Sequence, residues 1–251
     1  MNKLSKIMTW RLRVLSFYII ISIFSVIFFI TCCLPLTLIN VKYHIKYSLA
    51  KLFSHVFIWA IKFTCGLDYR ISGLELIPNQ PSIVLANHQS FWDNFIMQII
   101  IPEHSWIVKR QLFNIPFFGW ALKMAETIAV DRNDSLSVKQ ILKEGQEKIK
   151  NGLWLIIFPE STRLKPGQNA KFKPSAVKLA AMTGVPIVLM VHNAGVFWPK
   201  GFWIRKSGII EVKIIDVIYP EQIKDLDVRA LTQTIENIVN TAKQKLPLEV
   251  F

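Results

Sequence analysis

The chain has 251 residues, 52% of them hydrophobic, with 30 Lys and Arg against 17 Asp and Glu and a formal net charge of +13. That length suits one domain with an appendage, and a mean hydropathy of +0.35 is too high for an ordinary soluble protein, so part of the chain belongs in lipid. The charge calls for anionic partners, and beside so apolar an N-terminus these are lipid headgroups and phosphates, with no nucleic acid.

Lys3, Lys6, Arg11 and Arg13 precede a stretch from Val14 to Val41 that holds no charged residue. About 20 apolar residues suffice to cross a bilayer. The run is too long for a cleaved signal, and no small-x-small site follows it cleanly. Pro35 marks a bend within it. Lys42, Lys46 and Lys51 follow, so positive charge flanks both sides and does not choose an orientation. Leu49–Phe63 mixes Phe, Ile and Trp with Lys51, His55 and Lys62 and reads as an amphipathic interfacial helix. Two arrangements fit: a spanning helix followed by an interfacial one, or a bent two-helix hairpin seated in one leaflet. Residues 1–65 are therefore expected to form a membrane anchor. Cys32, Cys33 and Cys65 form no paired framework, which fits reduced thiols.

From residue 66 to 251 short apolar runs alternate with helical patterns. Strands are predicted at Asp68–Ser72, Ser82–Ala86, Ser105–Lys109, Thr127–Val130, Leu153–Phe158, Pro186–Val191 and Ile209–Val217. Helices are predicted at Phe91–Ile100, Ser135–Lys150, Ser175–Thr183 and Val228–Lys245. Stops fall at Asn151-Gly152 and Gly184. The expected fold is a single layered α/β domain, its mostly parallel or mixed sheet flanked by helices.

Two segments carry chemistry. Asn87-His88-Gln89-Ser90-Phe91-Trp92-Asp93 follows a buried-type strand and opens a helix, a usual place for a site in α/β proteins. Five residues apart, His88 and Asp93 can meet over the first turn. The carboxylate then fixes the tautomer and leaves the other ring nitrogen basic. The second segment is Phe158-Pro159-Glu160-Ser161-Thr162-Arg163, where a strand empties into a polar turn. Arg163 offers a fork for phosphate, Ser161 and Thr162 add donors, and Glu160 could orient Arg163 or bond a substrate hydroxyl. Lys165, Lys171 and Lys173 follow, Lys173 just before a helix start.

These residues resemble the glycerolipid acyltransferases of bacterial 1-acylglycerol-3-phosphate (lysophosphatidic acid) type. Four blocks stand in that family's order: His88 and Asp93; Lys109, Leu112, Pro116 and Gly119; Phe158, Pro159, Glu160, Thr162 and Arg163; and Val185, Pro186, Ile187 and Val188. The departures are Gln111 for Glu, Ser161 for Gly and Leu189 for Pro. A Ser at position 161 is strained if the turn needs positive φ.

The resemblance implies transfer of a fatty acyl group from acyl-CoA or acyl carrier protein to a lysolipid hydroxyl. His88 would be the general base and Asp93 its support, with Glu160, Thr162, Arg163, Lys109, Gly119 and Lys173 at the substrate. It implies no metal and no cofactor beyond the acyl donor, and a place on the inner (cytoplasmic) membrane, with the site facing the cytoplasm. Other acceptors, among them glycerol 3-phosphate and further lysolipids, stay open. Two rivals are a serine hydrolase using Ser90 or Ser161, although no G-x-S-x-G elbow is present, and a non-catalytic membrane adaptor. Backbone amides near the second block or the start of the Phe91 helix are candidates to hold the thioester oxygen. His192-Asn193, after the fourth block, are candidates to line the site.

Overall fold

The structure, a computed structural model, describes residues 3–37, 39, 41–115, 118–131, 137–223 and 226–247. Pro116 of the second block and the predicted helix start at Ser135 lie outside the described residues.

Helix α1 (Lys3–Phe28) runs into a π-helical turn (Phe29–Cys33) and then α2 (Leu34–Thr37). The wide turn stands just ahead of Pro35, which has no N–H to give an α-helical bond and whose ring crowds the carbonyl four residues back. Helix α3 (Tyr43–Cys65) returns antiparallel to α1. Phe17 meets Phe57 with ring centroids 5.3 Å apart, Phe24 meets Phe53 at 5.5 Å, and Arg13 Nε donates to the Thr64 carbonyl at 2.8 Å. The predicted Leu49–Phe63 segment is thus the middle of a longer helix. Gly66, at φ +62°, closes it, and its N–H bonds to the Lys62 carbonyl at 2.9 Å.

The remaining elements follow in order: β1 (Leu67–Ser72), β2 (Ile83–Ala86), α4 (Trp92–Ile100), β3 (His104–Lys109), α5 (Phe118–Met124), β4 (Ile128–Val130), α6 (Ser137–Lys150), β5 (Trp154–Ile157), α7 (Ser175–Thr183), β6 (Ile187–His192), α8 (Ala194–Phe197), β7 (Gly208–Ile218), α9 (Pro220–Ile223) and α10 (Val228–Gln244). The seven strands pair in the order β1-β7-β6-β2-β5-β3-β4. Every pair is parallel except β6–β7, which is antiparallel with a register shift at Leu189/Met190. The expected mixed, mostly parallel sheet is what forms.

Alternate residues of the central strands serve two cores, as the two-residue period of a strand requires. Val84, Ile156 and Val188 pack with Phe17, Phe57, Ile61, Trp92 and Ile96 from α1, α3 and α4. Ile83, Leu155 and Ile187 pack with Leu142, Leu179 and Ile235 from α6, α7 and α10. The N-terminal hairpin is therefore more than a tether. Phe17 and Ile61, both fully buried, help to cover one face of the sheet. Truncating either to Ala would cost roughly 2–5 kcal/mol.

The outer face of the hairpin is bare. Met8, Leu12, Ile19, Ile23 and Ile27 on α1 and Leu52, Trp59 and Phe63 on α3 are exposed. Among the described residues one helical stretch, Ser5–Leu36, is long and apolar enough to cross a membrane, and only 17% of its most apolar window is buried.

Candidate active site

Strands β2, β5 and β6 lie side by side and parallel, so their carboxyl ends open on one edge of the sheet. The first block leaves β2 at Ala86, the third leaves β5 at Ile157, and Asn193 follows β6. Ligands of open α/β sheets bind outside this edge.

The turn from β2 into α4 is built around Asp93. Its Oδ2 accepts from the backbone N–H of Gln89 at 2.8 Å and of Ser90 at 2.9 Å. The same oxygen lies 3.1 Å from His88 Nδ1. An ionised carboxylate only accepts, so Nδ1 carries the proton and donates, and Nε2 is left with its lone pair. His88 Nε2 has no hydrogen-bond partner among the described residues, and the ring is partly exposed while Asp93 is fully buried. Burial alone would push the Asp93 carboxyl up. The nearby imidazoles of His192 and His88 and the Ser90 amide outweigh it, so the group sits below its ordinary value and stays ionised.

His192 and Asn193 prove to be buried supports rather than site lining. Asn87 Nδ2 donates to the His192 carbonyl at 3.0 Å, and the His192 N–H donates to Asn87 Oδ1 at 2.9 Å. His192 Nε2 stands 2.7 Å from the Asn87 carbonyl, and its Nδ1 accepts from the Ala194 N–H at 3.3 Å. That pattern has Nε2 donating and makes the ring a brace between β2 and β6. The same Nε2 stands 3.5 Å from Asp93 Oδ2, so its N–H edge supports the carboxylate's charge.

The third block grips the first. Leu164 N–H donates to the His88 carbonyl at 2.9 Å, and Glu160 Oε2 accepts from the His88 N–H at 2.9 Å. The other oxygen of Glu160 accepts from Lys243 Nζ at 2.8 Å, with side-chain exposures of only 0% and 5% for the two partners. This corrects the expectation that Glu160 contacts substrate or orients Arg163. Both its oxygens are engaged inside the protein, so it is a strut. Lys243 escaped the sequence reading. The available signal was its position: it falls in helical register with Leu231, Ile235 and Val239, and a lysine on an apolar stripe must find a partner.

Arg163, half-buried, has no ion pair or hydrogen bond among the described residues, and Thr162 and Lys173 are exposed. Lys109 is exposed at the carboxyl end of β3, on the same edge of the sheet. These cations and the hydroxyl remain available to an anionic ligand. Gly119 has a different role. A Cβ there would stand 2.1 Å from the Phe113 carbonyl oxygen, and the residue's own N–H donates to the Ile115 carbonyl at 2.8 Å, so the glycine lets α5 close onto the turn after β3.

The amides of Gln89, Ser90 and Trp92 are already engaged, the last by Ser90 Oγ at 3.2 Å. The start of α4 therefore uses these donors to hold Asp93 and its own turn, not a thioester oxygen. Ser90 is wholly buried, which removes it as a hydrolase nucleophile. Among the described residues no cluster of His, Cys, Asp and Glu could hold a metal.

Residues 68–193 match the family model described as Acyltransferase. The chain is 40% identical over 179 residues to a 1-acyl-sn-glycerol-3-phosphate acyltransferase of Pseudomonas aeruginosa, covering 69% of this chain and 70% of that one. A chloroplastic enzyme of the same name from Brassica napus is 31% identical, over 83% of this chain and 62% of its own length. The crystal structure of the 1-acyl-sn-glycerophosphate acyltransferase PlsC from Thermotoga maritima superposes with a TM-score of 0.76 at 25% identity, covering 93% of this chain and 94% of that one. A basic imidazole held by a buried carboxylate at the carboxyl edge of the sheet, in a chain so matched in sequence and fold, places the protein in the acyltransferase family.

Proposed function

We propose that the protein transfers a fatty acyl group from an acyl thioester to the sn-2 hydroxyl of 1-acylglycerol-3-phosphate, forming phosphatidic acid for phospholipid synthesis. The observation that carries this reading is the His88–Asp93 pair, with Nδ1 donating to the carboxylate and Nε2 free. His88 Nε2 takes the proton of the acceptor hydroxyl as its oxygen attacks the thioester carbonyl carbon. The carbon–sulfur bond breaks and the thiolate leaves with the proton returned by the imidazolium. No acyl-enzyme forms, consistent with the burial of Ser90. Arg163, with Lys109, Thr162 and Lys173 on the same edge, would hold the phosphate of the acceptor. The donor is acyl-CoA or an acyl carrier protein; both are anionic and suit a chain of charge +13.

Both substrates carry chains that partition into lipid, so the site must open at a bilayer. Of the two arrangements, a hairpin seated in one leaflet of the cytoplasmic membrane fits better. Trp10 Nε1 donates to the Ile204 carbonyl at one end of α1, and Phe29 stacks on Trp120 beyond its other end, at 5.3 Å. Those anchors are about 28 Å apart along a helix. Fastening at both ends lays the helix along the catalytic body, which favours insertion into one leaflet over a full crossing.

The test is purified protein given 1-acylglycerol-3-phosphate with acyl-CoA or acyl carrier protein. One free thiol per phosphatidic acid is expected, and His88→Ala should lower kcat about 10²–10⁴-fold. Arg163→Ala should raise KM for the acceptor. Absence of thiol release with every donor, or full activity in His88→Ala, would overturn the reading.

A further inference from the structure

The catalytic histidine is fixed by its ring and also by its backbone, and the backbone restraint leads out of the segment that matches the family model. Glu160 Oε2 holds the His88 N–H at 2.9 Å. Glu160 Oε1 is held by Lys243 Nζ at 2.8 Å, which also donates to the Gln168 carbonyl at 3.1 Å and to Asn240 Oδ1 at 3.5 Å. The ion pair is enclosed, with side-chain exposures of 5% for Lys243 and 0% for Glu160. Enclosed charges of this kind must stay paired, because either one alone is strongly disfavoured in a dry interior.

The same helix meets the loops around the site twice more. Glu236 Oε2 accepts from the Phe172 N–H at 2.8 Å, and just past the helix end the Pro247 carbonyl accepts from Asn193 Nδ2 at 2.9 Å. Helix α10 thus reaches both the loop that follows β5 and the turn that follows β6.

We propose that Lys243 is a positioning residue for catalysis: by neutralising Glu160 it keeps that carboxylate on the His88 N–H and so sets the place of the imidazole. This rests on the acyltransferase reading of the site. Without Lys243 the Glu160 carboxylate has either to take up a proton or to swing toward water. Either response loosens the His88 backbone, while Arg163 and the basic edge are untouched. A displacement of the general base by a fraction of an ångström lowers the rate of proton transfer without weakening substrate binding.

The experiment uses the full chain in detergent or lipid, in four forms: wild type, Lys243→Met, Lys243→Arg and the double variant Glu160→Gln/Lys243→Met. For Lys243→Met, kcat should fall about 10–100-fold, as expected for misplacement of a catalytic group, with both KM values within about twofold. Lys243→Arg should recover most of that loss. The double variant removes both charges yet keeps an acceptor for the His88 N–H, and should exceed Lys243→Met in kcat. Hydrogen exchange of the peptide carrying the His88 amide is read in parallel and needs no substrate. It should quicken in Lys243→Met and slow again in the double variant.

Wild-type kcat together with wild-type exchange in folded Lys243→Met overturns the proposal, as does a loss expressed only in KM. Should Lys243→Met fail to fold, Lys243→Gln replaces it, with the same expected direction and the same overturning result. A wild-type protein inactive on every acceptor would defeat the proposed function, while the exchange measurement would still judge the strut.

Discussion

The His88 imidazole lies face to face with the Phe158 ring, centroids 4.0 Å apart and planes 16° apart. The last residue before the polar turn after β5 thereby forms a platform for the base at the end of β2. Removing the platform frees the ring to tilt while its bond to Asp93 remains. Phe158→Ala should lower kcat about 10-fold with little change in KM, since misorientation costs rate before it costs binding. Steady-state kinetics beside a thermal melt will separate this from loss of fold.

Asp93 holds His88 and closes the turn at the same time. Asp93→Asn keeps the shape but removes the charge that fixes the tautomer, and kcat should drop about 10²–10⁴-fold. The carboxyl sits below its ordinary value in the folded protein, so its contribution to stability is complete above the unfolded pKa of about 3.9 and is lost as pH falls through the lower folded value. Unfolding midpoints measured from pH 6 downward should fall less steeply below pH ~4 in Asp93→Asn than in the wild type.

Ser161 sits at φ +59°, in the left-handed region that disfavours a side chain. Its N–H closes the turn onto the Phe158 carbonyl at 3.0 Å, so the conformation is enforced by the turn. Ser161→Gly should stabilise the protein by about 1 kcal/mol, read from denaturant midpoints, with acyl transfer retained.

His104 is buried at the start of β3, its Nδ1 donating to the Pro102 carbonyl at 2.8 Å. Burial holds its imidazole at a pKa of about 4, against 6.5 for the free group. The unfolded chain therefore takes up a proton first as pH falls, and stability present above pH ~6.5 is lost down to pH ~4, by roughly 3 kcal/mol. Equilibrium unfolding across that range should show the loss, and His104→Phe should shrink it.

Much of the fold was legible because the strands are short, apolar and bounded by turn residues. All seven predicted strands form, each within a residue or two of its predicted ends. The His88–Asp93 pairing was legible chiefly through the resemblance to the family's first block, because five residues across a helix start allow the two side chains to meet without requiring it. The family's glycine at the position of Ser161 raised the question of a positive φ, and the turn has one.

Which residue answers which was settled by tertiary structure alone. Glu160 reads in sequence as a neighbour of Arg163, yet it turns inward because Lys243, 83 residues later, closes over it. His192 and Asn87 exchange backbone and side-chain bonds across 105 residues. The apolar N-terminus announces lipid, but only its packing through Phe17 and Ile61 onto the sheet makes it part of the core. Local sequence fixes elements and turns through short-range sterics and hydrogen bonds. Partners for buried charges and faces for apolar helices depend on which distant strands come to lie side by side, and no local pattern encodes that.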